Sequence, residues 1–362
     1  MRRCTPPKVP RFRHPGPRPG GTRRRRLAAS CSLASLSLAS VLLAGCTPRL
    51  SSLGRENEAP RDPTRADTAA IATIARDLSS DARRGRGPWT AENAAVARLL
   101  ADRLEALGAV PVFGVRVLVP FAAAGGGRDS AFNVAGLIPA RDGDTSGELV
   151  GITSHFDHLG VGAPDAGGDS IFNGFLDAAL PVAMVLDVAR RYRAFPGDRP
   201  LLVLFFDLEE QGLLGSAALV RRADAPPLLA RLRLLVGVDA GSPAGEALEW
   251  QLMGGSPTHA GARLADSLAV ASGWTTTATP ARPISDVFPF SSQGVPVLFP
   301  IPGATWRGYS PAQRADAMRR FDHYHQRSDE FQVAFPMTGT AHFANWLWTI
   351  VRGASDQRRA LP

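Results

Sequence analysis

The sequence predicts an α/β fold: one globular domain with a mostly parallel, mixed central sheet and helices on both of its faces. Three observations carry this. Extended and helical patterns alternate along the chain. Several extended runs are apolar throughout, as in L-L-V-L-F-F from Leu201 to Phe206, which suits strands covered on both faces rather than one. No internal repeat interrupts the roughly 300 residues that follow the N-terminal region, so one large unit accounts for them.

In chain order, residues 1–45 read as an export signal, 46–65 as a polar, Pro- and Arg-rich tether, 66–352 as the folded domain and 353–362 as a polar tail. Two helices open the domain. In the second, Val96, Leu99, Leu100, Leu104 and Leu107 recur at helical spacing and Gly108 ends the run. Strand-like apolar runs follow at Val110 to Val119, Phe132 to Ile138, Leu149 to Thr153, Leu201 to Phe206, Leu232 to Val238 and Val295 to Phe299. Helical patterns lie near residues 178–194, 212–222, 258–272 and 336–352. The last carries Phe343, Trp346, Leu347, Ile350 and Val351 on one face, a stripe suited to core packing.

The composition, 44% hydrophobic and 20% charged, is that of an ordinary globular protein. A formal charge of +8 suggests an anionic partner until its position is considered. Residues 1–45 hold ten basic side chains and no acid, and without them the +8 becomes −2. The domain itself is close to neutral, so a nucleic-acid partner is not expected. After the basic stretch comes a short segment of small and apolar residues, Ala28 to Ala44, with the make-up of a secretory signal peptide. It ends in Leu43-Ala44-Gly45-Cys46, which resembles a bacterial lipobox and implies cleavage before Cys46 and lipidation of that cysteine. A lipid-anchored location in the cell envelope, periplasmic or at the outer membrane, is therefore expected. The other cysteines, Cys4 and Cys31, precede that cleavage point. A metal in the domain would have to be held by His, Asp and Glu.

Open α/β sheets carry their sites at the carboxyl ends of strands, and acids and histidines collect there. S-H-F-D-H-L-G after Leu149 to Thr153 places His155 two residues before Asp157, on one face of an extended strand. One imidazole nitrogen can then bind a metal while a carboxylate orients the ring through the other. D-L-E-E-Q-G after Leu201 to Phe206 supplies Glu209 and Glu210, and Asp239 follows Leu232 to Val238. Asp177 opens a helix, and H-Q-R-S-D offers His325 with Asp329 behind it. Singly each has a bland reading: a solvated acidic turn for Glu209-Glu210, a helix N-cap for Asp239 or Asp177. Together they form a constellation at separate element ends.

In their order these segments resemble the co-catalytic di-zinc aminopeptidases, family twenty-eight of the metallopeptidases. H-F-D-H-L-G, G-D-S-I-F-N-G with Asp177 beyond it, E-E-Q-G-L-L-G-S, V-D-A-G and Y-H-Q-R-S-D carry the likeness. Weaker matches lie upstream at D-A-R-R-G-R-G and F-N-V-A-G, so that it spans roughly residues 66–350. The resemblance implies a zinc-exopeptidase (phosphorylase/hydrolase-like) fold and two zinc ions. His155 and Asp239 would bind one ion, Glu210 and His325 the other. Asp177 would bridge them, Asp157 would orient His155, and Glu209 would be the general base. Tyr324 matches a tyrosine that in some relatives donates to the oxyanion. The implied activity is hydrolysis of the peptide bond beside a free N-terminus. The alternatives are a carboxypeptidase or amino-acid-conjugate deacylase on the same ions, a one-zinc relative of glutaminyl cyclases, or an impaired lipoprotein that only binds peptides.

The chain departs from the family around the bridging acid, where Leu176 and Ala178 replace an acid and an amide, and at Val287, where relatives often have histidine. His158 and His323 are expected to be local hydrogen-bonding or surface residues, and His259 and His342 to be structural. The specificity pocket is expected from the loops Met253 to His259 and Val295 to Ser310.

Overall fold

The computed structural model describes residues 64–123, 131–239, 241–256 and 258–356. The signal segment, the lipobox with Cys46, the tether up to residue 63 and the tail beyond residue 356 lie outside the described residues.

Two capped helices lead into the sheet. In α1 (Thr68–Leu78) the Asp67 carboxylate accepts from the amide of Ala70, and in α2 (Ala91–Ala106) the Thr90 side chain accepts from that of Asn93, each satisfying an amide that the first helical turn leaves free. Between them Asp81–Arg86 forms a 3-10 segment. The expected strand from Val110 to Val119 is two short ones, β1 (Val110–Pro111) and β2 (Leu118–Phe121). Pro111 has no amide to donate to a ladder, and Gly114 turns the chain in the left-handed region at φ +64°.

The core elements then alternate. They are β3 (Ala131–Ile138), β4 (Leu149–His155), the small hairpin β5 (Gly160–Val161) and β6 (Ile171–Phe172), α3 (Leu180–Ala194), β7 (Leu201–Phe206), α4 (Leu214–Val220), α5 (Pro226–Arg231) and β8 (Leu232–Gly237). After them come β9 (Glu249–Met253), α6 (Ala260–Ala271), β10 (Thr275–Thr279), α7 (Val287–Ser291), β11 (Val297–Pro302), α8 (Pro311–Met318) and α9 (Met337–Ala354). The strands β9 and β10 were not anticipated. In T-T-T-A-T there is no apolar run to read, and β10 is an edge strand with most of its residues exposed.

The main sheet runs β1-β3-β7-β4-β8-β11-β9-β10, with β2 also on β3. Its four middle strands, β7, β4, β8 and β11, are parallel, while β3 and β9 join them antiparallel. Strand alternation divides β7 between two cores. Leu201, Val203 and Phe205 face the core shared with α3 and α9, and Leu202, Leu204 and Phe206 face the core that holds Val287 and Phe290 of α7. All six are fully buried, at roughly 1.5–3 kcal/mol of transfer free energy each. The stripe on α9 is buried as its spacing predicts, with Trp346 and Phe343 both 4.7 Å from the Trp250 ring.

One feature of the topology positions the site. From β4 the chain crosses to β7 on one side and later reaches β8 on the other. The strand order thus reverses at β4, and a crevice opens beyond its carboxyl end. His155 is the last residue of β4.

Candidate metal centre

Three loops, each leaving a central strand, bring most of the expected residues together at that crevice. The loop after β4 carries Asp157, whose buried carboxylate accepts from the amides of Glu209 (3.0 Å) and Glu210 (3.2 Å) in the loop after β7. Asp157 thereby locks two loops together. Its contact with His155 differs from the expected carboxylate bond: Nδ1 of His155 lies 3.2 Å from the Asp157 carbonyl oxygen and 3.6 Å from Oδ1. The ring is oriented mainly by backbone, because the carboxylate is already committed to the two amides.

Two clusters share Asp177. On one side, Nε2 of His155 is 3.1 Å from Asp177 Oδ1 and 3.0 Å from Asp239 Oδ1. On the other, Nε2 of His325 is 3.1 Å from both Asp177 Oδ2 and Glu210 Oε2. The carboxylate of Asp177 is thus divided, one oxygen to each side. It sits in a turn ahead of α3, and its loop is held from behind. The Asp329 carboxylate accepts from the amides of Leu176 (2.9 Å) and Asp177 (3.1 Å). The buried Arg86 guanidinium donates to the carbonyls of Phe156, Leu78, Asn173, Gly174 and Asp177. These anchors lie outside the ligand pattern, which is why the sequence marked Asp329 only as "behind" His325 and Arg86 only within a weak upstream match.

Of the two readings of His158, the structure overturns the surface one and keeps the hydrogen-bonding one: the ring is fully buried, and its Nδ1 lies 2.7 Å from Glu210 Oε1 and 3.8 Å from Asp177 Oδ2. Strand alternation would turn it away from His155, but β4 ends at His155 and the chain bends back. Asp286, noticed only beside Val287, is also buried, and burial pushes its carboxyl up to about 7. The remaining histidines among the described residues are local. His323 meets Ser328, His259 caps α6, and His342 packs edge-on to Trp274.

The electrostatics are those of a cation site. Burial opposes charge on His155, yet Asp239, Asp157 and Asp177 outweigh it and hold the ring well above its ordinary value. Asp177 would be raised by burial, but the His155 and His325 imidazoles beside it keep it below the usual carboxylate range. Burial, reinforced by Asp239, Asp286 and Asp157, pushes Glu209 up to about 10. Tyr324, 47% exposed, stacks on His325 with ring centroids 3.9 Å apart. His325 itself holds a left-handed backbone, φ +57°, a conformation that costs of order 1 kcal/mol or more and collects at functional sites.

The donor set fits divalent zinc. Asp177 Oδ2 and His325 Nε2 are buried and face each other at 3.1 Å, yet neither has a hydrogen-bond partner. Ligand atoms about 2.0–2.1 Å from a tetrahedral zinc stand about 3.3 Å apart, so both clusters have roughly the spacing of groups that share an ion. An all-imidazole-and-carboxylate set suits zinc and related ions. Gly241, Pro243, Ile301, Pro302, Gly303, Trp306 and Met318 line a pocket of about 290 Å³ that starts on the loop following Asp239. The loop expected at Val295 to Ser310 contributes to this pocket, whereas Met253 to His259 does not line it.

Comparison with known proteins agrees with this geometry. No sequence among curated proteins matches. Among solved structures, a zinc aminopeptidase from Bacillus subtilis superposes with a TM-score of 0.59 at 14% identity, covering 81% of this chain and 96% of that one. The glutaminyl cyclase of Porphyromonas gingivalis gives 0.60 at 18%, covering 80% and 99%. The LapA aminopeptidase of Legionella pneumophila gives 0.58 at 14%, covering 80% and 72%. At such identities the likeness establishes the fold. The sequence profile of Peptidase family M28 matches residues 133–351, more than half of the chain and every residue of both clusters, so the chain belongs to the M28 family of metallopeptidases.

Proposed function

We propose that this zinc-dependent exopeptidase is an aminopeptidase with two zinc ions per chain. His155 and Asp239 would hold one ion, His325 and Glu210 the other, and Asp177 would be shared. The observation that carries the reading is the division of Asp177, Oδ1 toward His155 and Oδ2 toward His325. Bound zinc supplies the positive charge that acidifies a water and polarises the scissile carbonyl.

The chain's own groups do the rest. Glu209 takes a proton from the attacking water and passes it to the leaving amine. Its backbone is pinned by Asp157, which fixes where its carboxyl starts from. Asp157 keeps His155 and the Glu209-Glu210 pair in register. Tyr324, beside His325, donates to the developing oxyanion. The pocket lined by Ile301, Pro302, Trp306 and Met318 begins two residues beyond Asp239. Its size is near the lower end of the ~300–1,000 Å³ usual for small-ligand sites, and its apolar walls suit a large apolar N-terminal side chain.

The decisive experiment combines metal analysis with a panel of aminoacyl and acylated chromogenic substrates, with and without a chelator. The expected result is two zinc ions per chain and chelator-sensitive cleavage of aminoacyl substrates. Cleavage of acylated substrates alone would replace the reading with a deacylase or carboxypeptidase. One zinc with cyclisation of N-terminal glutamine would replace it with a cyclase, and no metal or turnover would leave a peptide binder.

We also propose that Cys46 is lipidated and tethers the enzyme to a cell-envelope membrane. The supporting pattern is Leu43-Ala44-Gly45-Cys46 after a basic and then apolar segment. Incorporation of labelled palmitate into the protein in bacteria, lost in Cys46→Ser, tests it.

A further inference from the structure

Three imidazoles approach the two clusters, and their geometries differ. Those of His155 and His325 meet carboxylate oxygens at 3.0–3.1 Å, near the spacing of groups sharing a zinc. That of His158 meets Glu210 Oε1 at 2.7 Å, a charge-assisted hydrogen bond, and at 3.8 Å it lies outside hydrogen-bond reach of Asp177 Oδ2.

We propose that His158 is not a zinc ligand but the positioning residue that makes Glu210 a one-oxygen ligand. The Nδ1–H group donates to Oε1 of the ionised Glu210, which leaves Oε2 turned toward His325 at 3.1 Å. The second nitrogen, Nε2, is buried and has no partner, so it does not compete for the proton. The inference rests on the reading of Glu210 as a ligand in a two-zinc site.

The surroundings hold the ring in that pose. The amide of His158 donates to the Arg86 carbonyl at 3.2 Å, and the Arg86 guanidinium in turn holds the Gly174 carbonyl. Gly174, at φ +58°, lies directly against the ring. A Cβ at that position would come within 2.5 Å of His158 Cδ2 and 2.2 Å of the Asp177 carbonyl oxygen. Only glycine admits both the backbone conformation and the imidazole. Ring, glycine and the Asp177 turn therefore form one packed unit next to the Glu210 carboxylate.

The test uses His158→Leu, which removes the donor, and His158→Asn, whose Nδ2–H group falls where Nδ1–H now lies. Zinc affinities of both sites are measured by competition with a chromophoric chelator, alongside thermal unfolding of the metal-free proteins. Wild type should bind two ions. His158→Leu should weaken one site by about 10- to 100-fold, the usual effect of losing a group that orients a ligand, and leave the other unchanged. His158→Asn should stay within about threefold of wild type at both. Unchanged affinities in His158→Leu, or an equal loss in a folded His158→Asn, overturn the positioning role while leaving the two-zinc reading intact. If His158→Leu does not fold, His158→Asn decides alone: retained affinity supports the role and lost affinity overturns it. A wild type that binds fewer than two ions overturns both.

Discussion

Glu209 and Glu210 are neighbours with opposite tasks, and the division begins at their amides, both held by the Asp157 carboxylate. The side chain of Glu210 turns toward His158 and His325, while the Glu209 carboxyl lies near Asp239, Asp286 and Asp157. Glu209→Ala should therefore keep both zinc ions and lose about 10²–10⁴-fold in kcat, as read by metal analysis and steady-state rates on one preparation. Wild-type turnover in that variant would remove the mechanism. Asp157→Asn keeps the size of the side chain but points an amide nitrogen at one of the two backbone donors. Both kcat and zinc affinity should fall together, by tenfold or more each. At the pocket, Met318→Arg places charge against the apolar wall of Ile301, Pro302 and Trp306. We expect kcat/KM for leucyl substrates to drop at least tenfold relative to alanyl ones, the scale of a hydrophobic-pocket change.

Among the elements, the Asp81–Arg86 segment and α9 act on the site without contributing a ligand. Arg86 ties the end of β4 to the Gly174–Asp177 turn through carbonyl oxygens alone. Burial lowers the guanidinium to about 10, against the nearby charges of Asp177, Asp329, Asp157 and Glu210, which raise it. Arg86→Met would strip the donors from those carbonyls and the countercharge from those acids. We expect a loss of roughly 3–5 kcal/mol in chemical unfolding, the scale of breaking a buried charge network. Helix α9 approaches the loop beyond Asp239 so closely that a Cβ on Gly339 would stand 1.9 Å from the Pro243 carbonyl oxygen and 2.6 Å from that of Gly245. Gly→Ala within a helix ordinarily stabilises by about 0.5–1 kcal/mol. Here overpacking reverses the sign, and Gly339→Ala should destabilise by roughly 2 kcal/mol.

At the scale of the molecule, the crevice beside β4 collects Asp157, Asp177, Glu209, Glu210, Asp239 and Asp286 around His155 and His325. Such a concentration of acid opposes folding unless cations answer it. Zinc at a hundredfold excess over its dissociation constant stabilises by about 2.7 kcal/mol per site. With about 2–4 °C per kcal/mol for a domain of this class, chelation of both ions should lower Tm by roughly 10–20 °C. An unchanged Tm after complete metal removal would contradict the two-ion centre.

The sheet was legible where burial leaves a strong pattern. L-L-V-L-F-F cannot be mistaken for a half-exposed strand, and the α9 stripe repeats at helical spacing. T-T-T-A-T of β10 and the two-residue β1 carry no such pattern, since an edge strand takes its identity from the neighbour it pairs with. The ligands His155, Asp177, Glu210, Asp239 and His325 were legible as an ordered set, because the chemistry of a divalent cation restricts donors to a few residue types at element ends. His158 and Arg86 were not placed. By sequence alone, His158 is one more histidine past the end of a strand, and Arg86 one of several arginines in a polar segment. The linear sequence determined the fold class, the family and the donor types, all of which depend on residue identity and local spacing. Only the tertiary structure decided which carboxylate oxygen faces which imidazole. That depends on where the chain bends after β4 and on the Arg86, Gly174 and Asp329 contacts that hold the Asp177 turn, and contacts between residues some 70 to 153 positions apart leave no periodic trace in the chain.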